Sequence, residues 1–201
     1  MRLYVVRHGE TLWNTQKRMQ GWGNSDLTEQ GKAQAKLLGE SLLSIDFNQV
    51  VCSPLGRTIE TANHIIGDRD VDIVINDDFK EMGFGSWEGK SPETLKSNYP
   101  EQYNNIWTDA TKYVPVDGET FQQVINRIIR GIQQIVDDNP TGNVLLVTHG
   151  MIVQLLLVHM KGLPLSELWN RNVVHPTSLT VIDIEPGSIK VIKEDDISHL
   201  E

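Results

Sequence analysis

Arg7-His8-Gly9-Glu10-Thr11 follows the apolar run Leu3-Tyr4-Val5-Val6, and Thr148-His149-Gly150 follows Val144-Leu145-Leu146-Val147. A third run, Val50-Val51-Cys52, stops at Ser53-Pro54, with Arg57 close behind. A lone histidine past a strand can simply cap a turn. Here the His-Gly pattern recurs, and arginines accompany it. Two histidines and two arginines brought to one place make a cluster of like charge, destabilising unless an anion neutralises it. The economical occupant is a dianion such as a phosphoryl group, gripped by bidentate guanidinium contacts. Backbone N–H groups at the helix start after His8 would add to that grip.

Strands and helices must alternate for these residues to meet. Thr28 is a candidate N-cap for a helix to Ser44, with Ala33, Leu37, Leu38, Leu42 and Ile45 as its apolar face. A second helix runs from about Gly56 to Ile66, and Val71 to Ile75 forms a further strand. Phe121, Val124, Ile125, Ile128, Ile129, Ile132, Ile135 and Val136 give the strongest amphipathic-helix signal. The run from Val144 is apolar throughout, hence a strand buried on both faces, and a nearly all-apolar helix follows through Val158. Late strands are predicted at Leu179 to Ile184 and Ile189 to Ile192. This order predicts an α/β fold of three α/β/α layers around a mostly parallel sheet, where ligands bind beyond the carboxyl ends of the strands. Residues 82–115, rich in Gly, Pro and aromatic side chains, read as short helices and loops rather than core. One domain over 1–201 is expected, with that segment as a cap-like insertion over the site.

With 201 residues the chain can bury a full core. Its 18 Lys+Arg against 27 Asp+Glu leave a net charge of −9, which repels nucleic acid and anionic membranes. A single cysteine, Cys52, excludes a disulfide framework and multi-cysteine zinc sites. No signal peptide or spanning segment is read, so a cytoplasmic location is expected. Gly89-Lys90-Ser91 imitates a P-loop without its first glycine or leading strand, and Gly21 and Gly23 imitate a dinucleotide fingerprint without a third glycine. Neither carries weight.

The Arg-His-Gly-Glu-Thr opening resembles the histidine phosphatase superfamily, which includes the cofactor-dependent phosphoglycerate mutases. So do Asn14, Gly21-Trp22, Leu27-Thr28-x-x-Gly31, the stretch from Ser53-Pro54-Leu55 through Arg57-Thr58 to Glu60-Thr61, and Val147-Thr148-His149-Gly150. The motifs cover essentially the whole chain in order. Glu81, followed by Gly85-x-Trp87-Glu88-Gly89, is similar to the phosphatase branch, and Asp196-Ile197-Ser198-His199-Leu200 is similar to the tails of broad-specificity PhoE-type phosphatases.

The resemblance implies that His8 is a nucleophile forming a phosphohistidine. It implies that Arg7, Arg57 and His149 hold the phosphoryl oxygens, with Asn14, Gln20, Gly21 and Gly150 assisting. Glu81 is implied as proton donor, a choice over Glu10, Glu60 and Glu88 that rests on the resemblance alone. Physical chemistry agrees with these roles: the attacking imidazole must be neutral, and an acid near neutral pH needs a raised pKa, which Met82, Phe84 and Trp87 would supply. Trp22 and Trp107 either line a substrate pocket or fill the join between core and insertion. His64 and His159 read as structural, and direct roles for His175 and His199 are not expected. The implied activity is an acid-type, metal-independent phosphomonoesterase acting on small phosphate esters, without cofactor. A phosphoglycerate mutase and a non-catalytic phospholigand-binding domain are the alternatives. No nucleic-acid or membrane partner is expected, and a homodimer stays open.

Overall fold

In a computed structural model describing residues 1–170 and 174–201, the apolar runs become six strands of one sheet. These are β1 (Arg2–Arg7), β2 (Gln49–Cys52), β3 (Ile73–Ile75), β4 (Asn143–Thr148), β5 (Leu179–Glu185) and β6 (Ser188–Asp196). Their order is β3-β2-β4-β1-β5-β6; β1 to β4 are mutually parallel, and β5 and β6 form an antiparallel hairpin at one edge. The helices are α1 (Leu12–Thr15), α2 (Glu29–Ser41), α3 (Gly56–Ile66), α4 (Pro92–Asn98), α5 (Pro100–Thr108), α6 (Phe121–Asp138) and α7 (Gly150–Met160).

Alternate side chains of each strand leave on opposite faces, and both faces are covered. Tyr4, Val6, Val50, Cys52, Leu145 and Val147 pack with α2 and α3. Leu3, Val5, Val51, Val144 and Leu146 pack with α6 and α7. This is the expected three-layer α/β/α arrangement with a mostly parallel sheet. α6 begins at a capping box of Thr120 with Gln123, and α2 at Thr28, whose hydroxyl accepts from the Gly31 N–H. No helix among the described residues is long and apolar enough to cross a membrane.

Three details depart from the sequence reading. α2 stops at Ser41, and its buried face is Gly31, Ala35, Leu38 and Gly39, continued by Leu42, so Ala33 and Leu37 are exposed. The face is set by close approach to α3: a Cβ on Gly39 would stand 2.4 Å from the Ile65 carbonyl oxygen. β3 is shortened to three residues at the sheet edge, with Val74 and Ile75 exposed. The segment from Met82 to Tyr113 does form short helices and turns, yet Met82, Phe84, Trp87, Leu95, Ile106 and Tyr113 are buried in the same cluster as α6 and α7. Phe84, Trp87 and Tyr113 are core, while Trp107 is exposed; Trp87 packs against Tyr99, Tyr103 and Tyr113 at ring separations of 5.6, 6.3 and 5.9 Å.

Parallel pairing aligns the carboxyl ends. Arg7 pairs with Thr148, and Val147 with Cys52. His8, His149 and Ser53, each one residue further on, therefore leave the sheet side by side.

Candidate active site

The His8 N–H donates to the Thr148 carbonyl at 2.9 Å, continuing the β1–β4 ladder one step past the strand. The two imidazoles stand 5.2 Å apart, both buried. His8 Nδ1 lies 2.8 Å from the carbonyl oxygen of Gly9, an acceptor only, so Nδ1 carries the proton and Nε2 keeps its lone pair. Burial, then the charges of Arg57 and Arg7, push the His8 pKa well below the ordinary 6.5. Burial does the same to His149, aided by Arg57 and His8. His149 Nε2 is 2.7 Å from the Ser53 hydroxyl, while Nδ1 is buried with no partner among the described residues.

Two guanidinium groups flank the pair. Arg57 is fully buried and donates Nη1 to Gly23 O and Nη2 to Gly21 O, both at 2.7 Å. Arg7 donates Nη1 to Val174 O at 2.5 Å. The Nε of each arginine is buried without a partner among the described residues. Burial lowers the pKa of both, Arg57 to about 10, but each stays charged at neutral pH. Buried guanidinium donors left unpaired are costly, and the Nε groups of Arg7 and Arg57 are two such donors, on residues that line the same cavity as His8.

Glu81 closes the opposite side. Its Oε1 accepts from the Met82 N–H at 2.9 Å and its Oε2 from the Met151 N–H, at the start of α7, at 3.4 Å. Burial nevertheless raises its pKa above the usual 4.5, against the Met82 hydrogen bond and the charge of Arg57. The positive end of the α7 dipole points into the same space.

These groups surround a cavity of about 430 Å³. Of the residues singled out in the sequence, Arg7, His8, Asn14, Gln20, Gly21, Arg57, Glu81, Trp107 and Gly150 line it. His149 adjoins the lining at His8, ring to ring at 5.2 Å. Trp22 is outside it, half exposed, donating its indole N–H to Glu81 O at 2.9 Å with Lys80 over its ring. Trp107 lies against Trp169, with ring centroids 5.2 Å apart. His64 and His159 sit on α3 and α7 away from the cavity, and His175 pairs with Asp195 at 2.6 Å. His199 reaches the Thr177 hydroxyl at 3.2 Å.

One sequence expectation fails. The N–H groups after His8 are already used: Gly9 N–H by Thr61, Thr11 N–H by Asn14, Leu12 N–H by Asp26 O and Trp13 N–H by Ser25. The helix there has only four residues, and Thr11 and Asn14 cap it internally. What this cap does is orient Asn14: its Oδ1 accepts from Thr11 N and Oγ1 at 3.0 Å, leaving the amide Nδ2 as the donor available on the cavity side.

Other lining residues escaped sequence reasoning. Met151 and Gln154 join Gly150 on one face of α7, a spacing that was readable once Gly150 was singled out. Met19 and Trp169 had no local signal, and Phe84 had been read only as apolar surroundings of Glu81. Ser53 was placed at the site edge by its strand, but its bond to His149 was not foreseeable. Glu88 ties two loops together, its Oε1 accepting from Trp22 and Phe84 N–H and its Oε2 from Gly23 N–H, all at 3.0 Å. Gly21, at φ +55°, passes so close to this carboxylate that a Cβ would stand 2.3 Å from it.

A mostly parallel α/β sheet covered by helices on both faces, with paired histidines and buried arginines at its carboxyl end, is of the phosphoglycerate mutase-like kind. The profile of the histidine phosphatase superfamily, branch 1, matches residues 3–196, and the chain belongs to that family. It is 36% identical over 173 residues to the adenosylcobalamin/alpha-ribazole phosphatase of Salmonella typhimurium, covering 86% of each chain. It is 34% identical over 158 residues to the uncharacterized phosphatase PhoE of Bacillus subtilis, covering 79% of this chain and 76% of the other. The solved structure of Bacillus stearothermophilus YhfR superposes with a TM-score of 0.97 at 37% identity, covering 100% of this chain and 99% of that one. Family and relatives together support phosphatase activity and small phosphate esters as substrates.

Proposed function

We propose that the protein is a metal-independent phosphomonoesterase that works through a phosphohistidine on His8. The observation that carries the reading is the His8–Gly9 hydrogen bond, which fixes the proton on Nδ1 and leaves Nε2 unprotonated between two guanidinium groups. Nε2 attacks phosphorus, the P–N bond forms, and the bond to the leaving oxygen breaks. Arg7, Arg57, His149 and Asn14 hold the three equatorial oxygens, where charge is spread in the transition state. Glu81, whose pKa burial raises, gives a proton to the leaving oxygen. Water then attacks phosphorus, returning a proton to Glu81 and freeing His8 and inorganic phosphate.

The upper cavity wall is apolar and aromatic: Met19, Phe84, Trp107, Met151 and Trp169. Such a wall favours esters with an apolar or aromatic alcohol over a small, anionic glycerate. Among the described lining residues the cation beyond Arg7 and Arg57 is Arg18, already bonded to Gln16 Oε1 at 2.8 Å and Gly89 O at 2.6 Å. Hydrolysis, rather than return of the phosphoryl group to a bound acid, fits this lining.

The test is a rapid quench with ³²P-labelled substrate. Acid-labile, alkali-stable label on His8, activity that survives a chelator, and loss of both label and activity in His8→Ala are expected. Label on a carboxylate, or 2-phosphoglycerate rather than free phosphate from primed 3-phosphoglycerate, would overturn the reading.

A further inference from the structure

The backbone that carries Glu81 is gripped from outside the cavity by one side chain. Arg127, buried on α6, has five N–H donors and five hydrogen bonds. Nη1 donates to Asp78 O at 2.8 Å and Lys80 O at 2.6 Å, and Nη2 to Glu81 O at 3.0 Å and Glu119 Oε2 at 2.9 Å. Nε donates to Glu119 Oε1 at 2.9 Å. Glu119 reaches back to the far side of Glu81, where its Oε2 accepts from Gly83 N–H at 2.8 Å. The remaining carbonyl of the stretch, Phe79 O, accepts from the Thr148 hydroxyl at 2.8 Å, directly before His149. The chain is therefore fixed at residues 78 to 81 and again at 83, where a single 3-10 turn, Asp77–Phe79, is the local regular structure among the described residues.

We infer that the Arg127–Glu119 pair is a positioning device for the proton donor, setting where the Glu81 carboxyl stands relative to the leaving oxygen; this rests on the reading of Glu81 as the acid. Arg127 does not line the cavity and touches no substrate. Two properties suit the task. The planar guanidinium reads three carbonyls and a carboxylate at once, which a lysine ammonium cannot. The bidentate partner also neutralises it, so the grip adds no net charge beside Glu81. An unpaired cation at that place would favour the carboxylate and weaken the acid.

General-acid help matters most when the leaving group is a poor one. The measurement is kcat/KM for an alkyl phosphate and for 4-nitrophenyl phosphate, whose nitrophenolate leaves without protonation. Wild type, Glu81→Gln, Arg127→Lys and the double variant are compared, with melting curves to confirm folding. Glu81→Gln is expected to lose about 100-fold on the alkyl ester and less than about tenfold on the nitrophenyl ester. Arg127→Lys is expected to lose about tenfold more on the alkyl than on the nitrophenyl ester, and to cost nothing further in the Glu81→Gln background. Equal losses on both esters in Arg127→Lys, beside a selective Glu81→Gln, would make Arg127 merely structural and overturn the inference. A Glu81→Gln variant without selectivity would overturn the assignment of the acid itself, and the inference with it. Should Arg127→Lys fail to fold, Glu119→Gln loosens the same grip while retaining Arg127 and carries the same comparison.

Discussion

The neutrality of His8 should be visible in how stability depends on pH. Its native pKa is depressed, first by burial and then by Arg57 and Arg7, while in the unfolded chain it returns to about 6.5. A depressed native pKa means stability that is fully present above the unfolded value and lost as pH falls below it, because the unfolded chain then takes up a proton that the native state refuses. For one such histidine the slope approaches about 1.4 kcal/mol per pH unit, or roughly 2 kcal/mol lost by about pH 5. His149, buried beside it, adds a similar slope of the same sign. Glu81 acts oppositely: its raised native pKa contributes stability at low pH that is lost as pH rises through that value. The perturbation is His8→Asn, which retains a polar side chain without a titrating group. Urea unfolding of both proteins between about pH 7.5 and about pH 5 isolates the single histidine, since the other groups largely cancel in the difference. The variant should gain on the wild type by about 1.4 kcal/mol per pH unit at the acid end. Parallel stability curves would mean that His8 is protonated as readily in the fold as in water. A ready nucleophile would then be ruled out.

Further outcomes follow from particular contacts. With a raised Glu81 pKa, kcat for alkyl phosphates should fall as pH rises through that value, and Glu81→Gln should abolish this basic limb. Arg57→Lys forfeits the paired bonds to Gly21 O and Gly23 O; about 2 kcal/mol of stability should be lost in urea unfolding, and vanadate inhibition should weaken about 100-fold. Gly39→Ala drives a methyl group to 2.4 Å from Ile65 O and should cost about 2 kcal/mol, read from the urea midpoint. Trp107→Ala removes an aromatic wall paired with Trp169, so kcat/KM for phenyl phosphate should drop roughly fivefold while glycerol phosphate is little affected.

The meeting of Arg7, His8, Arg57 and His149 was readable because these residues sit where periodicity changes. An apolar run that ends in Arg-His-Gly marks a strand end, and two such ends meet in any parallel sheet that makes their strands neighbours. What the pattern did not reveal was set by contacts between distant segments. α2 turns its small residues inward because α3 lies too close for large ones, which a search for leucine spacing misses. Residues 82–115 carry the glycines and prolines of a loop, but Trp87, Leu95 and Ile106 extend the core begun by α6 and α7. Asn14 was expected to assist in holding a phosphoryl group; that half of its amide is committed to Thr11 had no mark in the sequence. The grip of Arg127 on residues 78–81 is made almost wholly to main-chain carbonyls, which leave no mark in side-chain identity.

The place of β1 has a consequence for how the chain is made. It lies between β4 and β5, so Arg2 pairs with Asn143 on one side and Asp183 on the other. While the ribosome adds the intervening residues, neither neighbour yet exists, and Leu3-Tyr4-Val5-Val6 has both hydrogen-bonding edges open. Pairing of such long sequence separation is slow, and an unpaired apolar strand is a template for aggregation. His8 precedes Thr148 by 140 residues, and its hydrogen bond to the Thr148 carbonyl forms only once that stretch has been synthesised. Truncated or stalled chains therefore carry His8 without the pocket that keeps it neutral. Phosphatase activity in a cell is a property of completed molecules.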